Sequence, residues 1–253
     1  MSDATGTRAA TDAERAPPEL SVVVPVYNEA ECVGPLCDAI YAVLSALGRS
    51  FEVLLVDDGS SDDTPARLAR EKSRREHLCV FRFRRNCGQS AAMSCGFDHA
   101  RGRIVVTLDA DLQNDPADIA RLLEGIDSGE WDVVCGWRRQ RQDSWLRRIS
   151  SRIANAVRNR LSGETISDTG CSLKAYRTDF LRKIKVFSGM HRFLPTVLKM
   201  EGARVTEIPV HHRPRLAGKA KYGVWNRIFR SFRDLLAVRW MKARHIRYES
   251  EEI

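Results

Sequence analysis

No stretch of this 253-residue chain approaches the roughly eighteen uninterrupted apolar residues of a membrane span, so no transmembrane helix is expected. Residues 1–19 are rich in Ala, Thr, Asp, Glu and Pro and lack the apolar centre of a signal peptide or anchor; a disordered leader is expected there. Paired cysteine motifs are missing too. The 7 cysteines (Cys32, Cys37, Cys79, Cys87, Cys95, Cys135 and Cys171) form no C-x-x-C and are odd in number. Most lie in apolar segments, which points to reduced thiols in a cytosolic protein rather than disulfides or zinc. Negative charge falls short, with 33 Asp+Glu against 41 Lys+Arg and a net charge of +8. The excess lies in the second half, at Arg138, Arg139, Arg141, Arg147, Arg148 and Arg152 and again from Arg204 to Arg247. That half is expected to meet an anion such as a phosphate or an acidic membrane face. No nucleic-acid motif accompanies the charge, so no nucleic-acid partner is expected.

With 43% hydrophobic and 29% charged residues, the chain reads as a folded globular protein. Apolar, β-branched runs at 20–26, 51–56, 78–83, 104–108 and 131–135 read as strands. Segments at 31–47, 88–100 and 116–126, and one beginning near Ser61, Asp62 and Thr64, read as helices; Asp115 is placed to cap the third, with Pro116 at its first position. Strands alternating with helices predict a mainly parallel α/β sheet with helices on both faces. Ligands of such sheets collect at the carboxyl ends of the strands. The polar motifs fall at those ends: Tyr27-Asn28-Glu29, Asp57-Asp58, Arg85-Asn86, Asp109 to Gln113, and Arg138. Each alone is an ordinary turn or cap, but their shared placement argues for one site.

The sharpest of them is Asp109-Ala110-Asp111. On an extended strand end, residues i and i+2 share a face, so both carboxylates are expected to project together. Anions that close repel unless a cation lies between them, and a divalent ion with oxygen ligands meets that need. Gln113 is expected to add an oxygen on the same side if the chain stays extended.

In this setting the stretches VVVPVYNEAE (22–31), VLLVDDGSSDDT (53–64), RNCGQSAAMSCGFDHARG (85–102), LDADLQNDP (108–116), ISDTGCSLKAYR (166–177), MHRFLP (190–195) and HRPRLAGKAKYG (212–223) resemble the family 2 glycosyltransferases of GT-A fold, and among them the polyprenyl-phosphate sugar synthases. The resemblance implies a GT-A (Rossmann-like) domain over 20–223, followed by a basic helix and tail over 224–253. It implies inverting transfer of a hexose from GDP-mannose or a UDP-sugar to a dolichyl or undecaprenyl phosphate. Pro25, Tyr27, Glu29 and Asp57 would hold the nucleobase and ribose. Asp109 and Ala110 would lie towards the nucleotide, and Asp109, Asp111 and Gln113 would bind Mg2+ or Mn2+. Arg138 would meet phosphate, and Arg215 and Lys221 would close over the diphosphate. Asp168 is carried over as a catalytic candidate. The chain departs from the pattern in two places. Ala220 replaces the serine usual before the lysine, and Cys171-Ser172-Leu173-Lys174 replaces S-G-F-R after Asp168.

A phosphate acceptor is already ionised near neutral pH, since its second pKa is about 6, and needs positive charge more than a base. The arginine run from 138 to 152 can supply it. Over 224–244, apolar residues at 225, 228, 229, 232, 235, 236 and 240 follow helical spacing opposite Arg and Lys. This stripe suits either a membrane interface or a face on the core. The expected setting is cytoplasmic, peripheral on the inner membrane face or docked on a separate membrane protein. The alternatives are a soluble family 2 enzyme acting on a sugar hydroxyl with Asp168 as base, and a non-catalytic nucleotide-sugar-binding subunit. A processive polysaccharide synthase is disfavoured, because Leu236 stands where Q-x-x-R-W requires glutamine.

Overall fold

The computed structural model describes residues 16–138, 166–213, 224–246 and 251, with only the backbone described over 224–232. Seven strands form one sheet: β1 Leu20–Val26, β2 Phe51–Asp57, β3 Leu78–Arg82, β4 Ile104–Thr107, β5 Val133–Trp137, β6 Lys174–Arg177 and β7 Val205–Pro209, in the order β3-β2-β1-β4-β6-β5-β7. β1 pairs in parallel with β2 and β4, β2 with β3, and β5 with β7. β6 runs antiparallel between β4 and β5. The short LKAYR run carries too little pattern to announce that insertion.

The helices are α1 Ala30–Ala46, α2 Thr64–Arg74, α3 Gln89–His99, α4 Ile119–Asp127, α5 Thr178–Leu181, α6 Leu194–Met200 and α7 Val224–Arg244. They cover both faces of the sheet, as the alternation of β1 requires. Val22, Val24 and Val26 join one core with Val33, Leu36 and Ile40 of α1 and Leu122 of α4. Val23 points the other way, into a core shared with Met93 and Phe97 of α3 and with α6. Strand β1 is thus buried on both sides, which explains its unbroken valine run. Four of the cysteines are buried in these cores, and burial pushes the thiols of Cys37 and Cys135 up to about 12.

From β1 the chain moves outward to β2 and β3, then returns to the other side of β1 as β4. This reversal leaves a crevice at the carboxyl ends of β1 and β4, where a sheet of this type takes its ligand. One glycine is obligatory nearby. Gly59 has φ +70°, and a Cβ there would lie 2.5 Å from the Arg85 carbonyl carbon. Only glycine lets the β2 end and the β3–α3 loop approach so closely.

The described part of α7 is two-faced. Leu235 and Val238 are buried in the second core, with Met241 packed against it, while Leu236 and Trp240 are exposed. Of the expected stripe, Leu235 faces the core but Leu236 and Trp240 do not; Val238 and Met241, outside that stripe, complete the buried face. Among the described residues no helix is long and apolar enough to cross a membrane. Each fully buried aliphatic side chain contributes about 1.5–3 kcal/mol. Ending the chain after Gly223 is therefore expected to lower the thermal unfolding midpoint; an unchanged midpoint would show that α7 carries no share of the core.

Candidate active site

The expected residues that the structure describes line the carboxyl edge of the sheet. Pro25 lies in β1 and Tyr27 just beyond it, both half-buried. Glu29 is buried ahead of α1, where its N–H donates to Thr64 Oγ1 at 2.9 Å. Asn28, at φ 50°, ties this loop to the next: its N–H donates to Ser60 Oγ, and its Oδ1 accepts from the Ser61 N–H, each at 2.9 Å. Asp57, the last residue of β2, is fully buried. Its Oδ1 accepts from the Ser60 N–H at 2.9 Å. Its Oδ2 lies 3.2 Å from Arg82 Nε but accepts no hydrogen bond, leaving a buried oxygen with acceptor capacity.

Asp58 does different work. Its carboxylate accepts from Asn86 Nδ2 at 2.9 Å, from the Cys87 N–H at 2.7 Å and from the Gly88 N–H at 2.9 Å. Burial raises its pKa, and the Cys87 and Gly88 amides oppose that rise. The loop so pinned launches α3, and Gln89 at the start of that helix donates through Nε2 to Asp109 Oδ1 at 2.8 Å. The sequence places Asp58 in a carboxyl-end motif without assigning it a role, and Gln89 is not among the expected site residues. The D-D-G and C-G-Q motifs marked their neighbourhoods, but the contact is between distant segments.

The D-x-D pair does not sit on an extended strand. β4 ends at Thr107, and Leu112 adopts φ 59°, so residues 109–113 form a turn. The expectation that Gln113 follows in extended register is corrected accordingly. Its N–H instead donates to Asp111 Oδ1 at 3.2 Å, and its carbonyl accepts from the Arg213 N–H at 2.8 Å. A turn still brings the two carboxylates into each other's field. Burial first, and then the charge of Asp111, raises the Asp109 pKa; a hydrogen bond from Ser172 and the charges of Arg138 and Lys174 oppose this. Ala110 between them is buried. Lys174 is itself buried, its Nζ 3.4 Å from the Thr169 carbonyl.

Arg138, just after β5, forms a two-pronged pair with Asp168: Nε donates to Oδ2 at 2.7 Å and Nη2 to Oδ1 at 2.9 Å. Burial disfavours the guanidinium charge, but the Asp168 bond and charge outweigh it, so the Arg138 pKa is raised. Asp168 is fixed from the other side, its N–H donating to Glu207 Oε1 on β7 at 3.0 Å. Both of its oxygens are thereby engaged by one cation. Ser90 Oγ lies 2.8 Å from His191 Nδ1, which draws the MHRFLP segment to the start of α3.

Arg215 and Lys221 lie outside the described residues, as do Ala220, residues 1–15 and the arginine run beyond Arg138. The approach to them is described. Asp118 accepts from the His211 N–H at 2.6 Å, and Asp115 Oδ2 accepts from Arg213 Nη2 at 2.6 Å, while Asp115 Oδ1 caps the following helical turn from the Ala117 N–H at 3.1 Å. The segment leading to Arg215 is thus fastened to the D-x-D turn.

Among the described residues no cluster of three or more His, Cys, Asp or Glu could encage a metal. The two carboxylates of the D-x-D turn are an open, hard-oxygen donor set. That suits Mg2+ or Mn2+, which bind through one or two carboxylates and complete their shell with substrate phosphates.

The glycosyl transferase family 2 profile matches residues 21–185. A dodecaprenyl-phosphate galacturonate synthase from Rhizobium johnstonii is 42% identical over 225 residues, covering 87% of this chain and 66% of that protein. An undecaprenyl-phosphate 4-deoxy-4-formamido-L-arabinose transferase from Edwardsiella ictaluri is 42% identical over 207 residues, covering 81% and 63%. The chain thus spans a little under two thirds of the length of these curated relatives. Its fold is similar to a mannosyltransferase from Pyrobaculum calidifontis in complex with GDP-Man and Mn2+, with a TM-score of 0.64, 22% identity and coverage of 93% and 66%. It is also similar to glucosyl-3-phosphoglycerate synthase from Mycobacterium tuberculosis in complex with Mn2+, uridine-diphosphate and phosphoglyceric acid, with a TM-score of 0.69, 17% identity and coverage of 91% and 80%. By the reach of the family profile and the identity to its relatives, this chain belongs to glycosyl transferase family 2.

Proposed function

We propose that this chain transfers a hexose, with inversion, from GDP-mannose or a UDP-sugar to a polyprenyl phosphate, giving a lipid-linked monophosphate sugar. The observation that carries the choice of acceptor is the Arg138–Asp168 pair. A sugar hydroxyl needs a base to take its proton, and the carboxylate expected for that task has both oxygens held by a guanidinium. A phosphate monoester attacks already deprotonated, its second pKa being about 6, so the site can do without a base. The curated relatives, named for dodecaprenyl and undecaprenyl phosphate, support the same choice.

In this reading the nucleobase and ribose lie against Pro25, Tyr27, Glu29 and Asp57, and the unbonded Asp57 Oδ2 accepts from a base N–H. Asp109, Asp111 and Gln113 would hold Mg2+ or Mn2+ beside the diphosphate. That ion supplies Lewis-acid charge on the leaving group. Arg138 adds a fixed positive charge, oriented by Asp168, for a phosphate to meet. Arg215 and Lys221, proposed from sequence, bring two further cations to the diphosphate. Stabilising charge as it develops on a leaving group is the main rate effect available to such a site.

The acceptor is proposed to be reached from the cytoplasmic face of a membrane, peripherally or through a separate membrane protein. Exposed Trp240 and Leu236 stand among exposed Arg233, Arg239, Lys242 and Arg244, an aromatic and basic surface suited to an anionic bilayer.

The direct test is transfer of label from GDP-mannose and a panel of UDP-sugars to undecaprenyl phosphate with Mn2+. Faster labelling of a soluble sugar acceptor would overturn the lipid-phosphate reading. In the same assay Asp111→Ala and EDTA should each reduce transfer by at least about 100-fold. The thermal midpoint of Asp111→Ala should hold, because the substitution removes a repulsion; full activity in EDTA would end the metal assignment. Arg138→Ala should lose activity and stability together. It leaves Asp168 buried without its cation, a change that costs about 3–5 kcal/mol, and an unaltered melting curve would contradict it. The chain should also sediment with vesicles rich in phosphatidylglycerol at low salt and release as salt rises, since each basic residue near the surface contributes about 1 kcal/mol and salt screens it. Indifference to vesicles at low salt would remove the direct membrane contact.

A further inference from the structure

We propose that Ser172 is a positioning residue for the D-x-D turn: its single hydroxyl, lodged between Asp109 and Asn114, sets the direction in which the two carboxylates present themselves to a divalent cation. The inference rests on the metal-dependent reading above. Ser172 stands at the start of the segment that enters β6, far from the turn in sequence.

Three bonds join Ser172 to residues 107–114. Its carbonyl accepts from Thr107 Oγ1 at 2.7 Å, at the last residue of β4. Its Oγ accepts from the Asp109 N–H at 3.0 Å and from Asn114 Nδ2 at 2.7 Å. A serine hydroxyl has two acceptor positions and one proton. Both acceptor positions are taken by N–H donors. One atom therefore holds the main chain of Asp109 and the far end of the turn.

The turn needs such a hold. Leu112 sits at φ 59°, a conformation that a branched side chain adopts at a cost and keeps only when its surroundings enforce it. Asn114 is well placed as the outer anchor. It is buried, its Oδ1 accepts weakly from Cys171 Sγ at 3.7 Å, and its backbone bridges to His212. Gln89 completes the hold on Asp109 from the α3 side. The S-G-F-R pattern of the resemblance has glycine at this place, so the hydroxyl is a feature of this chain's own turn. Groups that hydrogen-bond a metal ligand from behind typically govern its affinity by 10–100-fold.

The test is Mn2+ binding to the full chain, followed by the electron paramagnetic resonance signal of unbound Mn2+, with UDP and separately with GDP present. Ser172→Ala should raise the Mn2+ dissociation constant by about 10–100-fold while Ser172→Thr, which restores the hydroxyl, returns it towards the wild-type value. Affinity unchanged in Ser172→Ala would overturn the positioning role and leave the metal reading standing. Equal weakening in Ser172→Thr would also overturn it, since the loss would then follow packing and not the hydroxyl. Absence of Mn2+ binding by the wild-type chain with either nucleotide would instead overturn the metal reading, and this inference with it. If Ser172→Ala gives no cooperative melt, Ser172→Cys, of similar volume but a weak acceptor, carries the same comparison. Wild-type affinity in that variant counts against the proposal.

Discussion

Two carboxylates that raise each other's energy at the end of a central strand are the constraint around which this molecule is arranged. Asp109 is pushed towards its protonated form by burial and by Asp111, and neighbouring groups only partly relieve it. Arg138 comes from the end of β5, Lys174 from the start of β6, Gln89 from the start of α3 and Ser172 from the approach to β6. They come from separate stretches of the chain, at β5, β6 and α3, so the sheet order is what brings them to one place. A divalent cation completes such an arrangement, because it turns the repulsion into shared coordination.

The acids around this edge divide by what their oxygens already hold. Asp58 is satisfied by the 86–88 loop, Asp118 by His211, and Asp168 by Arg138. At the opposite edge Glu52 is satisfied in the same manner by Ser21 and Arg101. These carboxylates fasten segments together. Asp57 Oδ2 retains acceptor capacity, and Asp109 is raised by burial and by the charge of Asp111. The difference separates structural acids from candidate binding acids more sharply than residue type or exposure does.

The last helix illustrates how one amphipathic stripe serves two solvents. Leu235 and Val238 close the second core, whereas Trp240 and Leu236 lie outside it among arginines and lysines. Burial of one face holds the helix to the sheet, and the other face is thereby displayed in a fixed orientation.

Much of this was legible in the residues. Unbroken apolar, β-branched runs located the first four strands within a residue or two, and Asp115 with Pro116 announced a helical start that the Asp115–Ala117 bond bears out. The polar motifs also fall at the carboxyl ends of the strands as expected, because turn chemistry and charge are local properties written in adjacent residues. The fifth strand was placed two residues early, since Trp131 and Asp132 precede the paired segment Val133–Trp137. Strand β6 was not visible at all, because its antiparallel insertion between β4 and β5 is decided by pairing and not by its own four residues. The same holds for the chemistry. By itself the sequence determined a parallel α/β sheet with acids and arginines at one edge. Only the tertiary structure decided that Asp168 would be held by Arg138, that Asp58 would pin a loop, and that Ser172 would grip the D-x-D turn. Each of those is a hydrogen bond across tens of residues, and such a partner is chosen by where the fold brings the chain back.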